Sequence, residues 1–177
     1  MKKRRDNGMS FDNIDTPQEL LDYMGNNIKY GFITKDGKKE FNNYSNFYDE
    51  CIVQTGKELL ITKVGTCWDQ VELERMWFIE HGYNIKTYFL FFESGGSLPT
   101  HTFLIYEDNG IWYWFENAFF NHRGIHKYSS IKEALEEVKK KQIEYAKVKE
   151  EVKSCEYEVI NKCMTVGEYL KHVKNEI

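Results

Sequence analysis

Hydrophobic and polar positions along the chain switch between helical and strand spacing, and turn residues mark where one element gives way to the next. Thr16-Pro17-Gln18-Glu19 reads as a capping box with Pro at the first helical position, and Leu20, Leu21 and Met24 supply an apolar face. A helix is predicted over 17–25, with Gly25 closing it. Ile28 to Ile33 is compatible with either period, and Lys35-Asp36-Gly37-Lys38 is a turn. A helical pattern resumes from Tyr44 to Cys51, and Thr55 can cap a short helix through Leu60. The first third of the chain is therefore expected to be helical.

After Gly65, the positions Val71, Leu73, Met76, Trp77 and Ile79 form a stripe of helical period, ended at His81-Gly82, where Gly can take the left-handed cap. Cys67 opens this helix. Lys86 to Phe92, Thr100 to Glu107 and Ile111 to Asn117 are rich in β-branched and aromatic residues and are separated by turn signals, which predicts three antiparallel strands. From Ser130 a helix is predicted to about Val152, with Ile131, Leu135, Val138 and Val148 inward and a solvated Lys/Glu face outward. Tyr157 to Ile160 suits an edge strand, and Thr165-Val166-Gly167-Glu168 is a second capping box that opens a closing helix. The pattern contains no internal repeat.

Composition sharpens this picture. A chain of 177 residues can bury a true core, so a single domain over 11–177 is expected behind a basic tail at 1–10. Aromatics reach 16% of the chain, so rings rather than aliphatics fill much of the interior, which favours sheet. The net charge of −4 offers no general attraction to phosphate backbones, and Met1-Lys2-Lys3-Arg4-Arg5 is read as a solvated terminus; no nucleic-acid partner is expected. No apolar segment follows that terminus and no run approaches the length of a membrane span, so a cytoplasmic protein without membrane contact is expected. Cys51, Cys67, Cys155 and Cys163 are too few and too irregular for a disulfide framework and are expected to be reduced. Cys155, Cys163 and His172 match no compact set of zinc ligands, so no metal is expected.

The candidate chemistry centres on Gly65-Thr66-Cys67-Trp68-Asp69-Gln70. A thiol at a helix N-terminus feels the positive end of the peptide dipole, which favours the nucleophilic thiolate. Downstream, Asp108-Asn109-Gly110 is a strong hairpin signal. A two- or four-residue loop puts His101 and Glu116 on one face as direct or diagonal cross-strand neighbours, where the carboxylate can orient the imidazole; a three-residue loop reverses that relation unless a bulge restores it.

These residues resemble the transglutaminase-like branch of the papain-fold cysteine enzymes. The matching stretch runs from Gln54-Thr55-Gly56-Lys57-Glu58-Leu59-Leu60 through the Cys67 segment and Thr100-His101-Thr102-Phe103 to Trp112-Tyr113-Trp114-Phe115-Glu116-Asn117. The resemblance implies an α+β fold with a nucleophile-bearing helix on an antiparallel sheet, and acyl transfer through a thioester. It places the nucleophile at Cys67, the base at His101 and the orienting acid at Glu116. The third position departs from the family: most members carry Asp there, and Glu is longer by one methylene. Asn117 is a neighbouring alternative, although strand alternation points it away. Gln54 is a candidate oxyanion donor together with the Cys67 N–H, Trp68 a candidate wall of the substrate cleft, and His122 a further substrate contact.

The expected function is a cofactor-free cysteine enzyme acting on an amide or peptide bond of a peptide or protein, by hydrolysis first and amine transfer second. The rival reading is a non-catalytic module on the same fold that binds a peptide in an aromatic cleft. Acyl transfer to a small amine is a third reading, weakened by the absence of room for an acyl-carrier-binding domain. Oligomeric state is not legible.

Overall fold

The computed structural model describes residues 11–174, apart from 12, 43, 44 and 97, and the basic tail at 1–10 lies outside the described residues. Helix α1 (Pro17–Asn27) opens on its capping box: the Thr16 hydroxyl accepts the Glu19 N–H at 3.2 Å and the Glu19 carboxylate accepts the Thr16 N–H at 2.9 Å. It runs past Gly25 and closes where the Ile28 N–H reaches Met24 O, so Gly25 lies inside a helix rather than ending one. The first third is not wholly helical. It holds β1 (Phe32–Thr34), β2 (Lys39–Glu40), a single-turn α2 (Phe47–Glu50) and β3 (Cys51–Val53) before α3 (Gly56–Thr62). Cys51 is thus a strand residue, because its pairing with Thr34 competes successfully with a weak local helical preference. Tyr44, the expected start of that helix, is outside the described residues.

Helix α4 (Cys67–Glu80) begins and ends where the hydrophobic spacing predicts, with Gly82 at φ +78° just beyond it. The three expected strands are β4 (Asn84–Phe92), β5 (His101–Asp108) and β6 (Ile111–Glu116). Asp108 faces Ile111, leaving Asn109-Gly110 as a two-residue loop with φ of 52° and 76°, the primed turn that matches strand twist. A short 3₁₀ turn at Phe120–His122 then leads into β7 (Gly124–Tyr128), a strand that the turn signal at Asn121 to Gly124 conceals in the sequence.

Helix α5 (Ile131–Ala146) stops at Lys147, which adopts a left-handed φ of 57°, earlier than the expected end near Val152. Val152 instead starts β8 (Val152–Glu156), which pairs with β4 and supplies the edge strand one segment ahead of Tyr157 to Ile160. The chain closes with β9 (Met164–Thr165) and α6 (Val166–Val173), whose capping box between Thr165 and Glu168 is complete.

The fold is mixed α+β, with helices packed against two open antiparallel sheets of order β7-β6-β5-β4-β8 and β2-β1-β3-β9. On one face of the larger sheet, Leu104 and Phe115 pack with Leu20 and Met24 of α1 and Leu73, Trp77 and Phe78 of α4. On the other, Phe103, Ile105 and Trp114 pack under Ala134 and Val138 of α5. A third cluster joins Cys67, Trp68 and Val71 of α4 to Phe89, Cys51 and Tyr169, tying the smaller sheet and α6 to the same helix. Each large side chain fully buried in this way stabilises the fold by roughly 1.5–3 kcal/mol. Because apolar groups surround it on several sides, α4 buries polar positions too: Asp69, Gln70, Glu72, Glu74 and Arg75 are all inside. Among the described residues, no helix is long and apolar enough to cross a membrane.

Candidate active site

The first turn of α4 is fixed by hydrogen bonds to one carboxylate. Asp69 Oδ2 accepts the Thr66 N–H at 2.7 Å and the Thr66 hydroxyl at 2.9 Å, while Oδ1 accepts the Gln54 N–H at 2.7 Å and Gln54 Nε2 at 3.2 Å. Cys67 is therefore held as the first helical residue, where the N–H has no intrahelical acceptor. Gly65 keeps the entry tight, since a Cβ there would come within 2.6 Å of Asp69 Cβ.

His101 is the first residue of β5, and Glu116 the last of β6. Phe103 lies opposite the Glu116 position by extension of the hairpin register, so His101 and Glu116 are diagonal neighbours on one face. Their contact is made: His101 Nε2 stands 2.8 Å from Glu116 Oε2, with both side chains buried. Glu116 also accepts Trp114 Nε1–H at 3.1 Å and the Phe119 N–H at 2.6 Å, so three groups hold this carboxylate. Nε2 being committed to Glu116, Nδ1 is the ring nitrogen left to face the thiol. Cys67 and His101 line the same cleft, and their side chains interact directly.

That cleft has a volume of about 460 Å³. Its walls include the aromatic residues Phe119, Phe120 and Tyr145, with Phe120 85% exposed at the mouth. Tyr30 lines it as well and reaches both the thiol and the backbone N–H of Cys67 through its hydroxyl. Gln70 and Asn117 form a polar wall: Asn117 Nδ2 donates to Gln70 Oε1 at 2.7 Å, and Gln70 Nε2 donates to Gly65 O at 3.0 Å. Asn117 does point to the sheet face opposite Glu116, toward α4, as alternation requires.

Three candidates stand elsewhere. Gln54 is not among the cleft-lining residues; besides Asp69 its amide donates to Val64 O at 2.8 Å and accepts the Thr62 hydroxyl at 2.7 Å, so it braces the loop before α4. Trp68 turns into the third core cluster against Phe47 and Tyr169, with ring centroids 5.8 and 5.6 Å away. His122 lines a neighbouring depression beside α5, not the cleft that holds Cys67. Local pattern assigns no role to Tyr30 or Gln70: Gln70 stands three residues after Cys67, and Tyr30 carries no signal.

Electrostatics at the site run against burial. Burial alone disfavours the His101 charge, but the Glu116 carboxylate and the Cys67 thiol outweigh it and push the ring up to about 10. The neighbouring Cys67 sulfur holds the Tyr30 phenol well above its ordinary value, so its proton stays in place. Behind the pair lies Glu74, whose carboxyl is raised well above the usual range by burial and by Glu116 nearby, and whose Oε2 has no hydrogen-bond partner among the described residues. Burial lifts Glu72 to about 7 despite Arg75, and Asp69 to about 6 despite its four donors. Among the described residues, no group of three or more His, Cys, Asp or Glu side chains is arranged to hold a metal ion. Comparison of the chain with protein-family models and with curated proteins finds no match.

Proposed function

We propose that the chain is a cysteine-dependent acyl-transfer enzyme acting on amide or peptide bonds, of the transglutaminase-like, papain-fold type that its motifs resemble. The observation that carries this reading is the buried 2.8 Å contact between His101 Nε2 and Glu116 Oε2 in a ring that shares an open cleft with Cys67. His101, its ring pushed up to about 10 beside Glu116 and the sulfur, takes the Cys67 proton and carries it as imidazolium to the leaving group. Sγ attacks a carboxamide carbon, and the carbonyl π electrons move onto oxygen. Collapse of that tetrahedral centre expels the amine, which takes the proton from His101, and water or a second amine then releases the thioester with His101 as base. The developing oxyanion finds the Cys67 N–H at the helix start and the Tyr30 hydroxyl, which already reaches that N–H. Glu116 in place of Asp suits the wide spacing of a diagonal pair, since the extra methylene spans the offset between strand positions. Hydrolysis is the favoured outcome for a small cleft open to water.

Alkylation by iodoacetamide at pH 7, mapped by peptide mass, tests the reading. Cys67 is expected to react at least tenfold faster than Cys51, Cys155 or Cys163, and His101→Ala to remove that advantage. Equal labelling of all four thiols, or labelling of Cys67 indifferent to His101, rules the enzyme out. Ammonia release and amine incorporation from glutamine-containing peptides then separate hydrolysis from transfer.

A further inference from the structure

Besides His101, the cleft beside Cys67 is lined among the described residues by one cation and by no carboxylate, although acids outnumber bases in the chain as a whole. That cation, Arg123, is held in place by several features. Its Nε donates to Asn117 Oδ1 at 2.8 Å, and its Nη2 donates to Leu21 O on α1 at 2.5 Å. The guanidinium lies close against Gly25: a Cβ on that residue would stand 1.9 Å from Nη2 and 2.3 Å from Cζ. Gly25 thus occupies a helix interior, where glycine costs roughly 0.5–1 kcal/mol against alanine, at the one place where a side chain would push the guanidinium away. Among the described residues no carboxylate pairs with Arg123, and its Nη1 makes no hydrogen bond. The same residue is tied to the site, because Asn117 passes its other end to Gln70, three residues beyond Cys67.

An arginine oriented by two hydrogen bonds, exposed on its remaining edge and facing a cleft free of acids, is a receptor for a planar anion. We propose that Arg123 determines specificity for the acyl-transfer reaction by receiving a carboxylate of the substrate, so that the preferred amide carries a carboxylate close to the scissile bond. This rests on the enzymatic reading of Cys67. A C-terminal α-carboxylate and an Asp or Glu side chain present the same group, and the aromatic walls at Phe119 and Tyr145 receive the apolar remainder of the substrate.

Three fluorophore-labelled peptides probe the site: Phe-Gln-Gly with a free C-terminus, Phe-Gln-Gly carboxamide, and Phe-Gln-Glu carboxamide. The wild-type protein is expected to favour at least one carboxylate peptide over the neutral one by roughly 10- to 100-fold in kcat/KM, the worth of a charge-assisted pair. Preference for the first identifies an α-carboxylate, and preference for the third an acidic side chain. Arg123→Gln should bring the ratio to within about twofold of one; a ratio taken within one variant is insensitive to how much of it is folded. Gly25→Ala, which keeps the charge, favours helix and displaces the guanidinium, should reduce the ratio at least threefold. The same ratios read as binding affinities in Cys67→Ala separate the two ideas: carboxylate preference in that variant, with no turnover by the wild-type protein, retains the Arg123 site and removes the enzyme. Equal affinity for charged and neutral peptides, or a preference untouched by Arg123→Gln, overturns the inference and leaves the reactivity of Cys67 unaffected.

Discussion

The first turn and the middle of α4 bury charged side chains in opposite ways. At the first turn Asp69 receives four donors, and its neighbour Gln70 is bonded at both ends. Within the next two turns, among the described residues, neither oxygen of Glu72 has a hydrogen bond, Glu74 Oε2 has none, and Arg75 Nε stands 3.3 Å from Glu72 Oε2 without the alignment of one. The Arg75 guanidinium leans instead on the Tyr157 ring, 5.1 Å from its centroid. Both regions lose the same hydration, so the difference lies in what replaces it. Fixed donors at the helix start position Cys67, whereas the middle of the helix carries groups whose neutral forms suit their surroundings better than their charged ones.

Removing the satisfied side of this comparison should have the largest effect. Asp69→Ala strands the Thr66 and Gln54 N–H groups in the interior and is expected to cost about 3–5 kcal/mol in urea unfolding. Loss of less than 1 kcal/mol would mean that water or a rearranged loop replaces the carboxylate.

The poorly bonded side should show in the pH dependence of stability. A carboxyl raised in the folded state binds its proton more tightly there than in the unfolded chain, so stability is fully present below its unfolded value near 4.5 and is lost as pH rises through the folded one. For Glu72, lifted to about 7, that loss is about 3 kcal/mol between pH 4.5 and 7, with Asp69 adding in the window from 3.8 to about 6. His101, raised to about 10, acts in the same direction over pH 6.5 to 10. Urea midpoints across this range should fall steadily, and Glu72→Gln should flatten the lower part of the curve while leaving the upper part in place.

The smallest effect is expected at Glu74. With its carboxyl raised well above the usual range by burial, it has Gln as a near-isosteric neutral substitute, and Glu74→Gln should change stability at pH 7 by no more than about 0.5–1 kcal/mol. A loss of several kcal/mol would show instead that its charged form is bound, and would erase the contrast with Asp69.

Much of the frame could be read from local pattern. The capping boxes at Thr16 and Thr165, the Asn109-Gly110 loop and the three central strands each follow from chemistry within a few residues, and such signals survive folding because the groups that satisfy them are sequence neighbours. That His101 and Glu116 share a face follows from alternation for an even-numbered loop, and the two-residue loop of the structure makes them diagonal neighbours. β1, β3 and β7 are not legible in this way, because their partners are distant and a three- to five-residue strand has little periodicity of its own. Local pattern does not set the end of α5, because Val152 fits a helical stripe as well as it fits an edge strand.

By itself the sequence determined which residues can do chemistry and which short segments hold them: a thiol at a helix start, and an imidazole and a carboxylate across a tight hairpin. Only tertiary structure decided what surrounds them. It brought Tyr30 to Cys67, turned Gln54 and Trp68 away from the cleft, and laid Arg123 on Gly25, since contacts between segments far apart in the chain depend on packing that no local pattern records.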